Sequence, residues 1–249
     1  MRIKYLFLFI SFFFLYNNPV IAGACNTTVT AAVTVQYSCA DDDSLTVTGS
    51  ISYNNQNAVL SQLLDGVTIT NSGTIQTTTD GSDGHSAIKA QSSLNLTVTN
   101  SGTILAAEDY GIKLIEAEKV TITNQAGGTI KATPASSGSQ IAIGGTKMGN
   151  CGTCLNESTS SSGEGLTLYN YGTIDADSRT VYGGHASGHT SKKTKIYNYN
   201  GGMIDATSSS AVKFQYAEDF ELYNYSGATI QTGTGNYAID LKGASTITI

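Results

Sequence analysis

The sequence predicts an all-β chain folded as a right-handed parallel β-helix, a solenoid of about seven coils with three short strands in each. Three observations carry this prediction. One motif returns along the chain as VTITNSGTI (67–75), LTVTNSGTI (96–104), VTITNQAGGTI (120–130) and LTLYNYGTI (166–174). The residues leading into it alternate apolar and polar with a period of two, the pattern of a strand with one buried face. The composition, rich in Thr, Ser, Gly and Asn with two Pro and no Trp, favours strands and turns over helices.

Residues 1–24 stand apart. Arg2 and Lys4 precede the apolar run YLFLFISFFFLY, and Pro19 and the small residues Ala22-Gly23-Ala24 follow it. This is the pattern of a secretory signal peptide cleaved after Ala24, and the run is shorter than the roughly 20 residues a membrane-spanning helix needs. Cys25 directly after the cleavage site leaves lipidation as a minor alternative, because such sites usually carry Leu where Ala22 stands. Removing the peptide takes two cations and no anion, leaving 11 Lys+Arg against 19 Asp+Glu, a charge of −8. That balance argues against nucleic acid as a partner.

An exported chain meets an oxidising compartment, so its cysteines are expected as disulfides: Cys25 with Cys39, and Cys151 with Cys154 in the loop GNCGTCLN. No helical periodicity follows Cys151, which disfavours a redox role for that pair. Residues 25–44, with the first disulfide and Asp41-Asp42-Asp43, are expected to cap the N-terminal end of the solenoid, whose strand edges would otherwise invite aggregation.

The β-helix proper spans 45–249. Aligned on Asn71, Asn100, Asn124, Asn170, Asn198 and Asn224, the positions two before are Ile69, Val98, Ile122, Leu168, Ile196 and Leu222. The Asn then falls on the buried face of a first strand. A Gly-containing corner leads to a second strand anchored by Ile75, Ile104, Ile130, Ile174, Ile204 and Ile230. A third follows a variable loop, with inward anchors Ile88, Ile112, Ile141, Val181, Val212 and Ile239. The stretch LTVTGSI (45–51) places Gly49 at the Asn position of an earlier coil. Repeats of about 22–30 residues cannot bury three inner faces alone, but stacked they can, and seven coils would make a rod about 34 Å long. The Gly is expected to supply positive φ at the corner, and the Asn side chains to hydrogen-bond up the rod as a ladder.

Two segments interrupt the period. A Gly/Ser-rich insertion between Gly144 and Gly165 carries Cys151 and Cys154, and GGHASGHTSKK (183–193) protrudes from the next coil. Both are candidate recognition loops. Continuing the register from Ile239 calls for an Asn at 251, so the chain is expected to be cut inside a coil of a longer protein.

The most unusual surface feature is aromatic. Outward positions beside the Asn are mostly Thr or Ser in early coils and become Tyr169 and Tyr171, Tyr197 and Tyr199, Tyr223 and Tyr225 later. Stacking would set these six in two columns, a stripe able to take sugar rings or a partner protein on flat apolar faces, or simply good cross-strand neighbours on a solvated sheet. Other candidates are weaker. Asp41-Asp42-Asp43 lacks converging ligands for calcium, His185 and His189 lie in a Gly/Ser loop, and GSDGHS (81–86), with His85, lacks the spacing of a serine nucleophile. Asp175 and Asp205, with Arg179 near, would sit side by side, a thin basis for the carboxylate chemistry of β-helix lyases and hydrolases. No catalytic residue, metal or cofactor is expected.

An exported N-terminus followed by degenerate TNSGTI, NYGTI and NYSGATI coils resembles the passenger region of bacterial autotransporter proteins, the type V secretion class. The resemblance covers roughly 25–249. It implies a Gram-negative source, the Sec export machinery as a partner, and a β-helix displayed at the cell surface or released, held at the outer membrane by a C-terminal β-barrel that this sequence does not contain. The expected function is non-enzymatic and adhesin-like, with glycans or host and neighbouring-cell surface proteins as partners. A polysaccharide-degrading enzyme and a stalk for another domain are the alternatives.

Overall fold

A computed structural model describes residues 23–54, 56–78, 85–107, 109–133, 140–149, 163–184, 190–243 and 245–249. Residues 1–22 of the expected signal peptide, Cys151, Cys154, His185 and His189 lie outside them, as do residues 150–162 and 185–189 of the two expected loops. All regular structure among the described residues is strand, gathered into three parallel sheets of 10, 8 and 9 strands. Each strand pairs with its counterpart one coil away, which makes a right-handed solenoid. The predicted fold class is the observed one.

The Asn coils stack in the expected register. In the first sheet Thr68–Asn71 pairs with Thr97–Asn100, which pairs with Val120–Asn124, and the series continues through Leu166–Asn170 and Lys195–Asn198 to Asn224. The second sheet aligns Ile51, Ile75, Ile104, Ile130, Ile174, Ile204 and Ile230 in one column. Most of that column is fully buried, and each buried Ile contributes about 1.5–3 kcal/mol. Residues 27–38 add Thr27–Val29, Ala32–Val33 and Tyr37–Ser38 to the three sheets, so this segment is itself a shorter coil. The Cys25–Cys39 disulfide closes it. At the other end Ile247 pairs with Phe220, the register that the first-strand period calls for.

Two anchors differ from expectation by two residues. Val47, not Gly49, pairs with Asn71, because Gly49 belongs to the corner column beneath Gly73. In the third sheet Ile143, not Ile141, stands between Ile112 and Val181, while Ile141 pairs with Tyr110 and Arg179. Both slips arise where a strand is long or the motif degenerate, so that two apolar residues of the same parity compete for one column.

The corner glycines meet two different needs: Gly127, Gly201 and Gly227 have the expected positive φ, at 80° to 82°, whereas others answer to a close approach of backbones. Gly73 and Gly102 do not have positive φ; they are required because a Cβ on Gly73 would lie 1.9 Å from the Gly49 carbonyl oxygen, and one on Gly102 2.1 Å from that of Gly73. The stacked backbones leave no room for a side chain. Left-handed residues other than Gly flank the corner between the third strand and the next coil. Leu63, Ser92, Glu116 and Lys147 form one column there, with φ between 50° and 57°. Asp42, Asn95, Lys119, Lys193 and Asp219 form the other, with φ between 41° and 57°. The cost, about 1 kcal/mol or more each, is offset by the inter-coil hydrogen bonds these residues donate, such as Ser92 N to Ile115 O at 2.8 Å and Lys119 N to Glu164 O at 2.8 Å.

Candidate interaction face

The Asn ladder forms as expected and is structural. Each Nδ2 donates to the Oδ1 of the next coil: Asn71 to Asn100, Asn100 to Asn124, Asn124 to Asn170, Asn170 to Asn198 and Asn198 to Asn224, at 2.8 to 2.9 Å. The second hydrogen reaches corner carbonyls, for example Thr103 O from Asn71 at 3.0 Å and Thr173 O from Asn124 at 3.1 Å. Since Val47 stands in the column below, Asn71 Oδ1 is left buried without a donor. The side chains of Asn71 through Asn198 are buried, so the ladder presents nothing to a ligand.

On the outer face of the same sheet the six tyrosines stand together. Parallel pairing fixes strands about 4.8 Å apart, and outward side chains at equivalent positions inherit that spacing. Tyr169, Tyr197 and Tyr223 stack with centroids 5.2 and 5.1 Å apart; Tyr171, Tyr199 and Tyr225 stack at 4.5 and 4.8 Å. The columns lie 6.3 to 6.5 Å from each other. Such stacking is worth about 0.5–1.5 kcal/mol per pair beyond area burial. It also changes what the stripe offers. The middle rings are covered on both faces by their neighbours, so the surface consists mainly of ring edges and phenol hydroxyls rather than the open flat faces the sequence suggested.

Beside the first column runs a groove of about 540 Å³, lined by Tyr169, Tyr197, Lys119, Glu164, Lys193 and Lys195 among others. A smaller one of about 290 Å³ shares Lys193 and Lys195 and adds Asp219 and Glu221, so the depression continues along the rod. Lys195 pairs with Glu221 at 3.0 Å, and that hydrogen bond raises the lysine pKa. The Tyr223 phenol is pushed up, first by the Glu221 charge, and donates to its Oε2 at 3.2 Å. Tyr199 is also raised, by desolvation first and then by its stacked neighbours. Lys119 has no ion-pair partner among the described residues. The groove was missed in the sequence because its lining comes from three separate coils; the αL lysines carry no local signal.

The remaining candidates sort plainly. Asp175 and Asp205 are adjacent, as expected, but Asp175 pairs with Lys131 at 2.6 Å, and Arg179 stacks on the Tyr182 ring at 4.7 Å. Asp41 Oδ1 accepts from Asp65 N at 2.9 Å and Asp43 Oδ2 from Ala40 N at 2.7 Å, so both carboxylates serve the corner backbone. His85 Nδ1 is buried without a partner. No group of three or more metal-ligating side chains occurs among the described residues. No protein-family model, curated protein or solved structure matches the chain.

Proposed function

We propose that the chain is a non-enzymatic, adhesin-like β-helix of the autotransporter passenger type, exported through the periplasm and working at the cell surface or outside the cell. The observation that carries the reading is the gathering of six stacked Tyr in two outward columns, where earlier coils carry Thr70, Thr99, Thr123, Ser72, Ser101 and Gln125. Six phenols on one outward face add a large area able to make contacts, beyond the stability their stacking contributes. Ring edges, phenol hydroxyls and the lysines of the adjoining groove suit an extended, hydroxyl-rich partner along the rod, a glycan or a glycosylated surface protein. Glycan arrays and cell-adhesion assays with Tyr169, Tyr197 and Tyr223 changed to Ser test it: binding should fall, and undiminished binding removes the stripe from the reading. Catalysis is not part of the proposal; turnover of polyuronates that disappears in Asp205→Asn would replace it with a carbohydrate-active enzyme.

A further inference from the structure

The tyrosine columns have a chemistry separate from recognition. Four in-column contacts of 4.5 to 5.2 Å hold phenol rings within 4° to 15° of parallel. The sheet fixes this spacing, so coupling needs only a rotation of neighbouring rings about their side-chain bonds to bring ortho carbons together. The chain has no Trp, the aromatic side chain that would otherwise compete most readily for a one-electron oxidant. Removing an electron from a phenol near neutral pH also requires a base for its proton. Tyr223 has one: its hydroxyl already donates to Glu221 Oε2 at 3.2 Å, and Lys195 holds the other carboxylate oxygen at 3.0 Å.

We propose that the six tyrosines are an oxidative crosslinking site, at which a peroxide-driven haem peroxidase or an equivalent one-electron oxidant couples tyrosines of successive coils into dityrosine. Tyr223 is the first phenol oxidised, its proton passing to Glu221, and the electron vacancy is shared along the stack. Two phenols each lose one electron and one proton. A carbon–carbon bond forms between ring positions ortho to the hydroxyls, and the ring hydrogens at those positions move to the oxygens as the rings regain aromaticity. One hydrogen peroxide takes up the two electrons and two protons and leaves as two waters. The product staples neighbouring coils on the face that carries the stripe. Nothing in this step depends on a ligand, so it stands or falls apart from the adhesive reading.

The test is exposure of the purified chain to hydrogen peroxide and a haem peroxidase, read by dityrosine fluorescence of the monomer band and by mass spectrometry of its digest. Intrachain dityrosine is expected at a yield independent of protein concentration, joining Tyr171, Tyr199 and Tyr225 or Tyr169, Tyr197 and Tyr223. Tyr199→Phe keeps a stackable ring but removes two of the four in-column contacts, so the yield should halve. Tyr197→Phe with Tyr199→Phe removes all four, so it should nearly vanish. Circular dichroism confirms that both variants keep the β-rod. Dityrosine found only between chains, for example through exposed Tyr237, or an intrachain yield undiminished in the double variant, overturns the proposal. Glu221→Gln should slow the reaction, and an unchanged rate overturns the assignment of Tyr223 as the first phenol oxidised.

Discussion

Replacing Asn124 by Val should cost far more than replacing Asn71 by Val, although both sit in the same buried column. Val is a shape the column already accepts, since Val47 occupies it fully buried. Asn124 donates to Asn170 Oδ1 at 2.9 Å, Gly128 O at 3.2 Å and Thr173 O at 3.1 Å, and accepts from Asn100 Nδ2 at 2.9 Å. Its removal silences two donor hydrogens and one acceptor. It also leaves Asn170 Oδ1 with only a long contact from Gly172 N at 3.3 Å. At about 1 kcal/mol per bond, plus about 1 kcal/mol for the poorly satisfied acceptor, the loss is about 4 kcal/mol. Asn71 donates to Asn100 Oδ1 at 2.8 Å and Thr103 O at 3.0 Å, but its own Oδ1 is already unsatisfied. Asn71→Val therefore moves the orphaned acceptor to Asn100 without adding one, and costs about 2 kcal/mol. Urea unfolding followed by circular dichroism measures both, with the slope checked so that fraying of end coils is not mistaken for lost stability. Equal destabilisation by the two variants would refute the ladder as the source of the energy.

Three further outcomes follow from the same structure. Reducing Cys25–Cys39, which closes a sequence separation of 14, should lower stability by about 3 kcal/mol, read as a reductant-dependent fall in Tm; no fall would show that the N-terminal coil holds without it. Gly102→Ala should destabilise by about 3 kcal/mol because its Cβ meets the Gly73 carbonyl, whereas Gly127→Ala, at φ 82° with open space around it, should cost about 1 kcal/mol; the reverse order in denaturation midpoints would sink the steric account. Tyr182, Tyr199 and Tyr223 have raised pKa values, so the stability they contribute is fully present below the ordinary phenol value of 10.0 and is lost as pH rises through their folded values. Ultraviolet titration should show phenols ionising late with loss of strand signal above pH 10.0, and titration of every tyrosine at or below that value would contradict this.

The recurring Asn and Ile could be placed in columns from the sequence because two-residue alternation is a local property, and a constant interval between anchors leaves one stacking register. That fixed the fold class, the ladder and the coincidence of Tyr169, Tyr197 and Tyr223 on one face. The same reasoning misplaced Gly49 and Ile141, since parity says which face a residue takes but not which of two residues of equal parity meets the column. The use made of each surface was decided by the tertiary structure. That the tyrosine faces are covered, that Lys119 and Lys193 share a groove with them, and that Gly73 answers to the Gly49 carbonyl all depend on atoms a whole coil away in sequence. Alternation along one strand determines what points inward, whereas the fixed spacing between strands determines what an outward side chain touches.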